Sequence, residues 1–489
     1  MNNLVNSASI AQTTTPTRRA WWNLNFQLQI SERRLLIMAG DAIALLVAVM
    51  IALYVWSLTA NEPFNEDFIL WRLVWIFLLP LSWFILADIN SYFDLRIASN
   101  LRISLSRLTR IHFQLLAVYL VIFFFAARDL LPRLFILNYS IVGFVLLLIW
   151  RSWQANFLSW TGFRRRAVIV GAGRSAETIV QLIAQHASDN YELVGFICEP
   201  TDESQSVSEL PALGQGTDLP QVCHYYAIAE LIITYGSELS GRMLQGLMTA
   251  YEQGVQIVYM PLLYEQITGR VPVEHIGQQN WSIIMPIDGQ PISRRLYHLL
   301  KRLIDIIFSA IGLLIFGLIL PIVAVLIVLD TRGPVFYAQE RVGRNGKIFK
   351  VFKLRTMRRD AERESGPRWA TERDPRVTRI GWLLRKTRLD EMPQFLNVLI
   401  GQMSMVGPRP ERPMFVAQLT EHIPFYRTRL VVKPGITGWA QVCYTYGSSV
   451  EDALTKLQYD LYYIRHQSLL LDLQILTRTV AKVLTFQGR

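Results

Sequence analysis

The sequence predicts a multidomain membrane protein, with an α-helical transmembrane bundle, then an α/β domain, then a mainly α domain that contains a re-entrant membrane helix. Two observations support this prediction. The chain has 489 residues, too many for one ordinary core, and 52% of them are hydrophobic. Long apolar runs recur between basic and polar segments, four of them before residue 151 and one after residue 302.

The bundle is predicted over residues 31–151, after a polar segment, 1–30, with the composition of a disordered cytoplasmic tail. Its apolar runs cover 35–58, 69–87, 111–127 and 134–150. Arginines lie before the first run, between the second and third, and in a basic linker, 152–166, so both ends of the bundle are expected in the cytoplasm. Asp41, inside the first run, is either a functional acid or a residue that makes contacts within the bundle.

The formal net charge of +11 suits partners that carry phosphate, namely anionic lipid headgroups, nucleotides or nucleic acid. The membrane signal favours the first two, and no nucleic-acid partner is expected. The three cysteines, Cys198, Cys223 and Cys443, are widely spaced and have no histidine cluster nearby. This argues against a disulfide framework and against a zinc site.

A Rossmann-like α/β domain is predicted over residues 167–290. Segments 167–170, 191–199, 231–234 and 255–258 have the composition of parallel strands. After the first of them, Gly171 and Gly173 form a candidate nucleotide turn, because glycine lets a phosphate approach the N–H groups at a helix start. The fingerprint is incomplete, since Ala176 replaces its third glycine. Nucleotide binding and a sheet domain that binds nothing or only regulates are both open.

The fifth apolar run, 303–329, belongs to a C-terminal domain predicted over residues 291–489. Pro321 is expected to kink or break its helix, which leaves a first part too short for a hydrocarbon core of about 30 Å. Both flanks are basic, which places both ends on the cytoplasmic side. We therefore expect a re-entrant hairpin, with an ordinary fifth span as the alternative.

Two adjacent carboxylates, Asp390 and Glu391, lie in the most basic stretch of the chain, shortly before the turn 407–410. A lone acidic pair among arginines is more often a solvated ion-pair patch. Together with the preceding apolar helix, however, the pattern predicts phosphate chemistry at a membrane surface. Candidate phosphate-binding residues are the nearby cations Arg385, Arg388, Arg409, Lys353 and Arg355.

Pro393 fits the first turn of a helix that runs from Glu391 to about Ile400. Such a helix would place Asp390 near its N-cap. The positive end of the helix dipole would then favour the ionised form of the Asp390 carboxyl.

Several blocks of the C-terminal domain, 339–347, 353–357, 385–393, 407–410 and 433–441, occur in an order that resembles the bacterial sugar transferases called polyprenol-phosphate hexose-1-phosphate transferases. The resemblance covers residue 294 to the C-terminus. The bundle and the Rossmann-like domain match the larger members, which initiate exopolysaccharide or O-antigen assembly. Residues 447–464 look like the subgroup associated with exosortase systems.

This resemblance implies transfer of a hexose 1-phosphate from a UDP-sugar to undecaprenyl phosphate, with release of UMP. It implies a covalent phosphosugar intermediate on Asp390 and Mg²⁺ held by Glu391. UDP-glucose is favoured over UDP-galactose as the donor. The implied setting is the bacterial inner membrane, with a multi-pass chain and the catalytic domain on the cytoplasmic face. A homodimer through the middle domain is also considered.

Two other functions are open at this point. One is a membrane-tethered nucleotide-sugar dehydratase or epimerase that uses the Rossmann-like domain. The other is a non-enzymatic scaffold for polysaccharide assembly.

Overall fold

The computed structural model describes residues 30–90, 92–93, 101–125, 133–158, 164–188, 190–199, 206–234, 239–275, 291–358, 361, 374–444, 447 and 449–484. The predicted N-terminal tail lies outside the described residues, except for its last residue.

Apolar helices form the N-terminal bundle. They are α1 (Ile30–Ala60), α2 (Glu66–Trp71), α3 (Leu73–Ile89), α4 (Leu101–Phe125) and α5 (Arg133–Leu158). The described residues of all four predicted runs coincide with these helices, but the boundaries differ, and residues 126–127 of the third run lie outside the described residues. The second run is divided at Arg72, whose guanidinium pairs with Glu62 at 2.8 Å. α5 continues through Leu158, into the segment predicted as a linker.

In the described part of the chain, three helical segments are long and apolar enough to cross a membrane. They are Leu35–Ala60, Phe135–Gln154 and Arg295–Asp330. α3 is apolar but has only 17 residues, and α4 carries arginines in its first half. The bundle is therefore helical and apolar as predicted, whereas the crossing of all four runs stays a prediction.

A buried ion pair joins α1 to α5 inside the bundle. Arg151 Nη2 lies 2.6 Å from Asp41 Oδ2, and the two side chains are 2% and 0% exposed. The Arg151 guanidinium also lies 3.9 Å from the centroid of the Tyr92 ring. A buried charge needs such a partner. Of the two roles considered for Asp41, the structure favours the contact within the bundle.

The predicted α/β domain contains a parallel sheet of four strands. They are β1 (Arg165–Val170), β2 (Tyr191–Ile197), β3 (Glu230–Ile233) and β4 (Gln256–Tyr259), in the spatial order β2-β1-β3-β4. All four predicted strands are confirmed to within two residues. Helices cover both faces: α6 (Arg174–His186), α7 (Leu219–Tyr226), α8 (Gly241–Glu252) and α9 (Met260–Thr268).

Alternate residues of β1 point to opposite faces of this sheet. Ala167 and Ile169 pack with α6 and α9, while Val168 and Val170 pack with α7 and α8. Because both faces are covered, the strand sequence is a continuous apolar run rather than an alternation.

The long membrane helix α10 (Pro291–Asp330) is continuous over 40 residues. The helix continues through Pro321, so a break there is wrong, whereas the kink that the sequence also allowed stays a prediction. Apolar packing stabilises the helix on both sides of this position. One cluster contains residues before and after the proline: Phe316, Val323 and Ile327.

The C-terminal domain is mainly α, as predicted. After α10 it contains β5 (Phe336–Val342), β6 (Ile348–Leu354), α11 (Arg379–Lys386), α12 (Gln394–Ile400), β7 (Ser404–Val406), α13 (Pro413–His422), β8 (Gly435–Thr437), α14 (Trp439–Cys443), α15 (Val450–Arg465) and α16 (Leu469–Leu484). β5 and β6 form an antiparallel hairpin, and β7 and β8 form a parallel pair.

Direct contacts fasten the C-terminal domain to the α/β domain. Val271 N donates to Gln458 O at 3.1 Å, and Trp439 Nε1 donates to Gly269 O at 3.0 Å. At the bundle, Gln474 Nε2 of α16 donates to an oxygen of the Asp88 carboxylate at 3.0 Å. The C-terminal end of α3 therefore lies beside the C-terminal domain.

Candidate active site

β6 brings Lys353 to the acidic pair. Asn397 of α12 fixes the strand, because its Oδ1 accepts from Phe352 N at 3.2 Å and its Nδ2 donates to Lys350 O at 2.8 Å. Lys353 Nζ then lies 2.9 Å from Glu391 Oε1.

α11 leads directly into the acidic pair. Thr378 caps this helix by accepting a hydrogen bond from Gly381 N at 3.0 Å. A Cβ on Gly381 would lie 2.1 Å from Thr356 O, so glycine is required for α11 to pack this closely against the end of β6. The same packing lets Arg385 Nε donate to Thr356 Oγ1 at 2.9 Å.

A left-handed residue turns the chain after α11. Arg388 has φ of 57°, and a single 3₁₀ turn, Leu389–Glu391, follows it. In this turn the side chains of Asp390 and Glu391 are both buried.

The turn that carries Arg409 is held between β7 and β8. Gly407 N donates to Thr437 O, and Gly435 N donates to Pro408 O, each at 2.9 Å. A Cβ on Gly435 would lie 2.1 Å from Gly407 N. The two glycines therefore allow a backbone approach that fixes the position of Arg409.

A second buried ion pair supports this turn from behind. Arg429 Nη2 donates to Arg409 O at 3.0 Å and lies 2.7 Å from Asp460 Oδ2. Arg429 Nη1 donates to the Tyr426 hydroxyl at 2.7 Å. Both charged side chains are buried, so each depends on the other for compensation.

The two acidic side chains differ sharply in their contacts. Glu391 Oε1 lies 2.7 Å from Arg409 Nη2 as well as 2.9 Å from Lys353 Nζ, and Glu391 Oε2 lies 3.6 Å from Arg388 Nη1. Asp390, in contrast, forms no hydrogen bond or ion pair with any residue that the structure describes. The carboxylate of Glu391 is held in place, whereas that of Asp390 has no such contact in the described part of the chain.

The electrostatic surroundings separate the two carboxyls further. Burial and the negative charge of Glu391 raise the pKa of Asp390 from 3.8 to about 6, against the opposing charges of Lys353, Arg385 and Arg409. Burial also acts on Glu391, but Arg409, Lys353 and Arg388 together hold its pKa well below its usual range. At neutral pH both groups are ionised.

The sequence predicted that Asp390 lies near the N-cap of a helix whose dipole keeps it ionised, and this prediction is wrong. α12 begins at Gln394 with Pro393 as its N-cap, so Asp390 is not the N-cap of a helix. Its charge depends on the surrounding cations rather than on a helix dipole.

A cavity of about 590 Å³ opens over the acidic pair. This volume is within the range typical of small-molecule sites, about 300–1,000 Å³. Cations in its lining include Arg341, Lys353, Arg385, Arg388 and Arg409. Less polar residues in its lining include Phe415, Leu419, Ala440 and Ala453. The cavity therefore combines many cations with room for a larger group.

All seven predicted catalytic and phosphate-binding residues thus line one cavity. Arg355 differs from the other six in its contacts. Its guanidinium donates to the carbonyl oxygens at the end of α10, including Arg332 O at 2.9 Å and Thr331 O. Arg355 thus caps this helix, and phosphate binding by its guanidinium stays a prediction.

Sequence reasoning missed Arg341, Arg429 and Asp460, which also line the cavity. Arg341 lies in the motif block 339–347, so that motif could have identified it as a site residue. Arg429 and Asp460 belong to no motif singled out in the sequence, and only the fold brings them together.

The donor set is compatible with Mg²⁺. In the described residues no cluster of three or more His, Cys, Asp or Glu side chains exists that could hold a metal ion alone. Mg²⁺ needs only one or two carboxylates when substrate phosphates and water complete its shell. Glu391 supplies such a carboxylate, and within the described residues its Oε2 has only the 3.6 Å contact with Arg388. Asp390 is the adjacent second carboxylate.

Gly171 and Gly173 lie between β1 and α6, as predicted for a nucleotide turn. Their φ angles, 115° and 84°, are in the region that favours glycine. The turn thus requires glycine for its conformation, and nucleotide binding there stays a prediction.

Comparisons with known proteins match two parts of the chain. The family model described as bacterial sugar transferase matches residues 296–486. A second model, described as a CoA-binding domain, matches residues 89–261 and includes the parallel sheet.

Three relatives illustrate the match. A segment of 191 residues, 38% of this chain, is 42% identical to the exopolysaccharide production protein PSS of Rhizobium leguminosarum bv. phaseoli and covers 96% of it. A segment of 48% of the chain is 40% identical to the UDP-N-acetylgalactosamine-undecaprenyl-phosphate N-acetylgalactosaminephosphotransferase of Aeromonas hydrophila. A segment that makes up 45% of the chain is 39% identical to the UDP-glucose:undecaprenyl-phosphate glucose-1-phosphate transferase of Escherichia coli (strain K12). The last two matches cover 53% and 48% of those relatives, about half their length.

Proposed function

This chain belongs to the bacterial sugar transferase family, and we propose that it transfers a sugar 1-phosphate from a UDP-sugar to undecaprenyl phosphate with release of UMP. The observation that carries the proposal is the contrast within the acidic pair. Glu391 is held by cations, while Asp390 is ionised, buried and without a hydrogen-bond partner in the described part of the chain. That is the state of a carboxylate nucleophile.

In the first step an Asp390 carboxylate oxygen attacks the phosphorus that bears the sugar. A bond forms between this oxygen and phosphorus, and the bond from phosphorus to the oxygen bridging toward uridine breaks. UMP leaves with the electron pair. Arg385, Arg388 and Arg409 neutralise charge on the transferring oxygens, since phosphoryl transfer depends chiefly on positioning and electrostatic stabilisation.

In the second step a phosphate oxygen of undecaprenyl phosphate attacks the same phosphorus. The bond between phosphorus and Asp390 breaks, which regenerates the carboxylate and gives an undecaprenyl diphosphate sugar. The same cations serve both steps, because the two reactions pass through similar charge distributions at one phosphorus.

Glu391, together with substrate phosphate oxygens, would hold Mg²⁺, which supplies charge neutralisation on the diphosphate. The protein's own share is to present Glu391 in a fixed orientation. Lys353 and Arg409 do so through contacts of 2.9 and 2.7 Å.

The membrane location follows from α10. Its outward face carries strongly exposed residues, such as Leu314 at 68% and Leu318 at 74%. Both of its ends contact the C-terminal domain: Arg302 Nη1 donates to Val398 O at 2.7 Å, and Ile380 N donates to Asp330 Oδ2 at 3.0 Å. We propose that α10 enters the bilayer and returns to the cytoplasmic face without crossing, as a continuous helix bent at Pro321. The proposed location is the bacterial inner membrane, in a multi-pass chain with its catalytic domain in the cytoplasm.

For the donor we propose UDP-glucose, which the name of the Escherichia coli relative supports. The name of the Aeromonas relative makes UDP-N-acetylgalactosamine the second candidate. The product would initiate exopolysaccharide assembly, a role supported by the name of the Rhizobium relative. A homodimer through the α/β domain stays a prediction.

The test uses the full-length protein with undecaprenyl phosphate and Mg²⁺. UDP-glucose, UDP-galactose and UDP-N-acetylgalactosamine are offered in turn, and UMP release is measured. We expect UMP with UDP-glucose and none from Asp390→Asn, while Glu421→Gln, at an exposed carboxylate, keeps full activity. A changed sugar that remains on UDP would favour the dehydratase or epimerase hypothesis, and an inert protein would favour the scaffold.

A further inference from the structure

A second cavity, of about 340 Å³, lies at the start of α10. It shares no lining residue with the cavity over Asp390. Cations dominate its lining: Lys301, Arg302, Arg344 and Lys433. Asp305 is the one acidic residue among the described residues that line it. The catalytic proposal gives none of these side chains a role.

Three of the four cations are fixed in place by the protein. Arg302 Nη1 donates to Val398 O at 2.7 Å, and Arg344 Nε donates to Val431 O at 3.1 Å. These carbonyl acceptors orient the guanidinium groups without neutralising their charge. Among the four, Lys301 alone forms an ion pair with an acidic residue that the structure describes, Asp472, at 2.8 Å.

Lys433 differs from the other three. Its ammonium group forms no hydrogen bond or ion pair with the residues that the structure describes. Burial, together with the charges of Arg302 and Arg344, lowers the pKa of Lys433 despite the attraction of Asp305. Like charges are therefore held close together around a half-buried lysine.

Asp305 offsets only one of these positive charges. Its Oδ1 accepts from Ser404 Oγ at 3.0 Å and from Met405 N at 2.8 Å. These bonds tie the carboxylate to β7. The cavity retains a positive charge that an anion would neutralise.

The position of the cavity on α10 indicates that the anion belongs to a lipid. His298, Lys301, Arg302 and Asp305 follow the spacing of one helix face and line the cavity. The adjoining face carries leucines that are half or more exposed: Leu296, Leu299 and Leu303. At a bilayer surface these leucines would meet acyl chains, which places the cations at headgroup depth.

We propose that this cavity, formed by Lys301, Arg302, Arg344 and Lys433, binds the phosphate group of an anionic phospholipid. This site is distinct from the one that would take undecaprenyl phosphate beside Asp390. The lipid's acyl chains lie along the leucine face of α10, and its phosphate accepts hydrogen bonds from Lys433 and from the Nη groups of Arg344.

The test measures lipid retention by the purified full-length protein. Native mass spectrometry is recorded after titration with phosphatidylglycerol and, separately, with phosphatidylcholine. We expect one tightly held phosphatidylglycerol. Lys433→Gln should weaken it about fivefold, since a basic residue near an anionic lipid contributes about 1 kcal/mol. Lys433→Arg should retain the lipid, which separates loss of charge from misfolding.

The matched control is Lys350→Gln, an exposed lysine of β6 outside both cavities. If attraction were diffuse, Lys350→Gln and Lys433→Gln would weaken retention equally, which would overturn the proposal. It is also overturned if inorganic phosphate alone occupies the site and phosphatidylglycerol is held no better than phosphatidylcholine. None of these results bears on UMP release, so a failure here leaves the proposed reaction standing.

Discussion

Replacing Lys353 by glutamine tests whether the cations around the acidic pair control the ionisation of Asp390. The charge of Lys353 opposes the rise in the pKa of Asp390, which is about 6 in its presence. Its removal should therefore raise this pKa further. A cation near a carboxyl lowers the pKa by about 1–3, and we take the lower value because Lys353 is 21% exposed.

The size of the effect follows directly. Only the ionised carboxyl attacks, so activity is present above the pKa of Asp390 and is lost as the pH falls through it. With a pKa near 6, about half of Asp390 is ionised at pH 6, and with a pKa near 7 about a tenth is. Lys353→Gln should thus slow the first step about fivefold at pH 6 and have little effect on ionisation above about pH 8.

The assay is single-turnover release of UMP at saturating UDP-sugar, from about pH 5 to about pH 8.5. Lys350→Gln is the matched control, because Lys350 lies on the same strand three residues earlier and its side chain points to the opposite face. Its profile should superimpose on that of the unmodified protein. An acid limb that stays at the same pH in Lys353→Gln would refute this reasoning, as would an unmodified protein without an acid limb near pH 6.

Three further outcomes are expected. Gly435→Ala should lower the melting temperature and abolish most of the activity, because its methyl group would lie 2.1 Å from a backbone nitrogen. Gly241→Ala, whose methyl group would meet nothing within 4 Å, should change neither property. Equal effects of the two substitutions would contradict the packing argument. Asp41→Asn leaves the charge of Arg151 buried and should lower the free energy of unfolding by about 3–5 kcal/mol, whereas Glu62→Gln, at an exposed pair, should change it by less than about 1 kcal/mol; similar losses would argue against the buried pair. Removal of divalent cations by EDTA should stop UMP release and added Mg²⁺ should restore it, and turnover in EDTA would exclude the metal.

The sequence predicted those parts of the fold that depend on short-range pattern. Apolar runs located the bundle helices, and apolar strands followed by glycine turns located the sheet. Charge flanks and motif order located Asp390, Glu391 and the cations Lys353, Arg385 and Arg409. These features can be predicted because hydrophobic periodicity and turn-forming residues are local properties of the sequence.

Tertiary packing decided the features that local sequence patterns did not predict. The helix continues through Pro321 because residues on both sides of it pack in one cluster. Arg355 caps the end of α10, since the fold places the carbonyl of Arg332 beside it. Arg429 and Asp460 lie far apart in the sequence, so no local pattern predicts their ion pair.

Trapping the intermediate is the most direct test of the proposed reaction. The full-length protein is incubated with UDP-glucose and Mg²⁺ without acceptor, then analysed by intact mass and peptide mapping. We predict one hexose phosphate on the peptide that contains Asp390, its loss when undecaprenyl phosphate is added, and no adduct in Asp390→Asn. Turnover by Asp390→Asn, or an adduct on another residue, would contradict the assignment of Asp390 as the nucleophile.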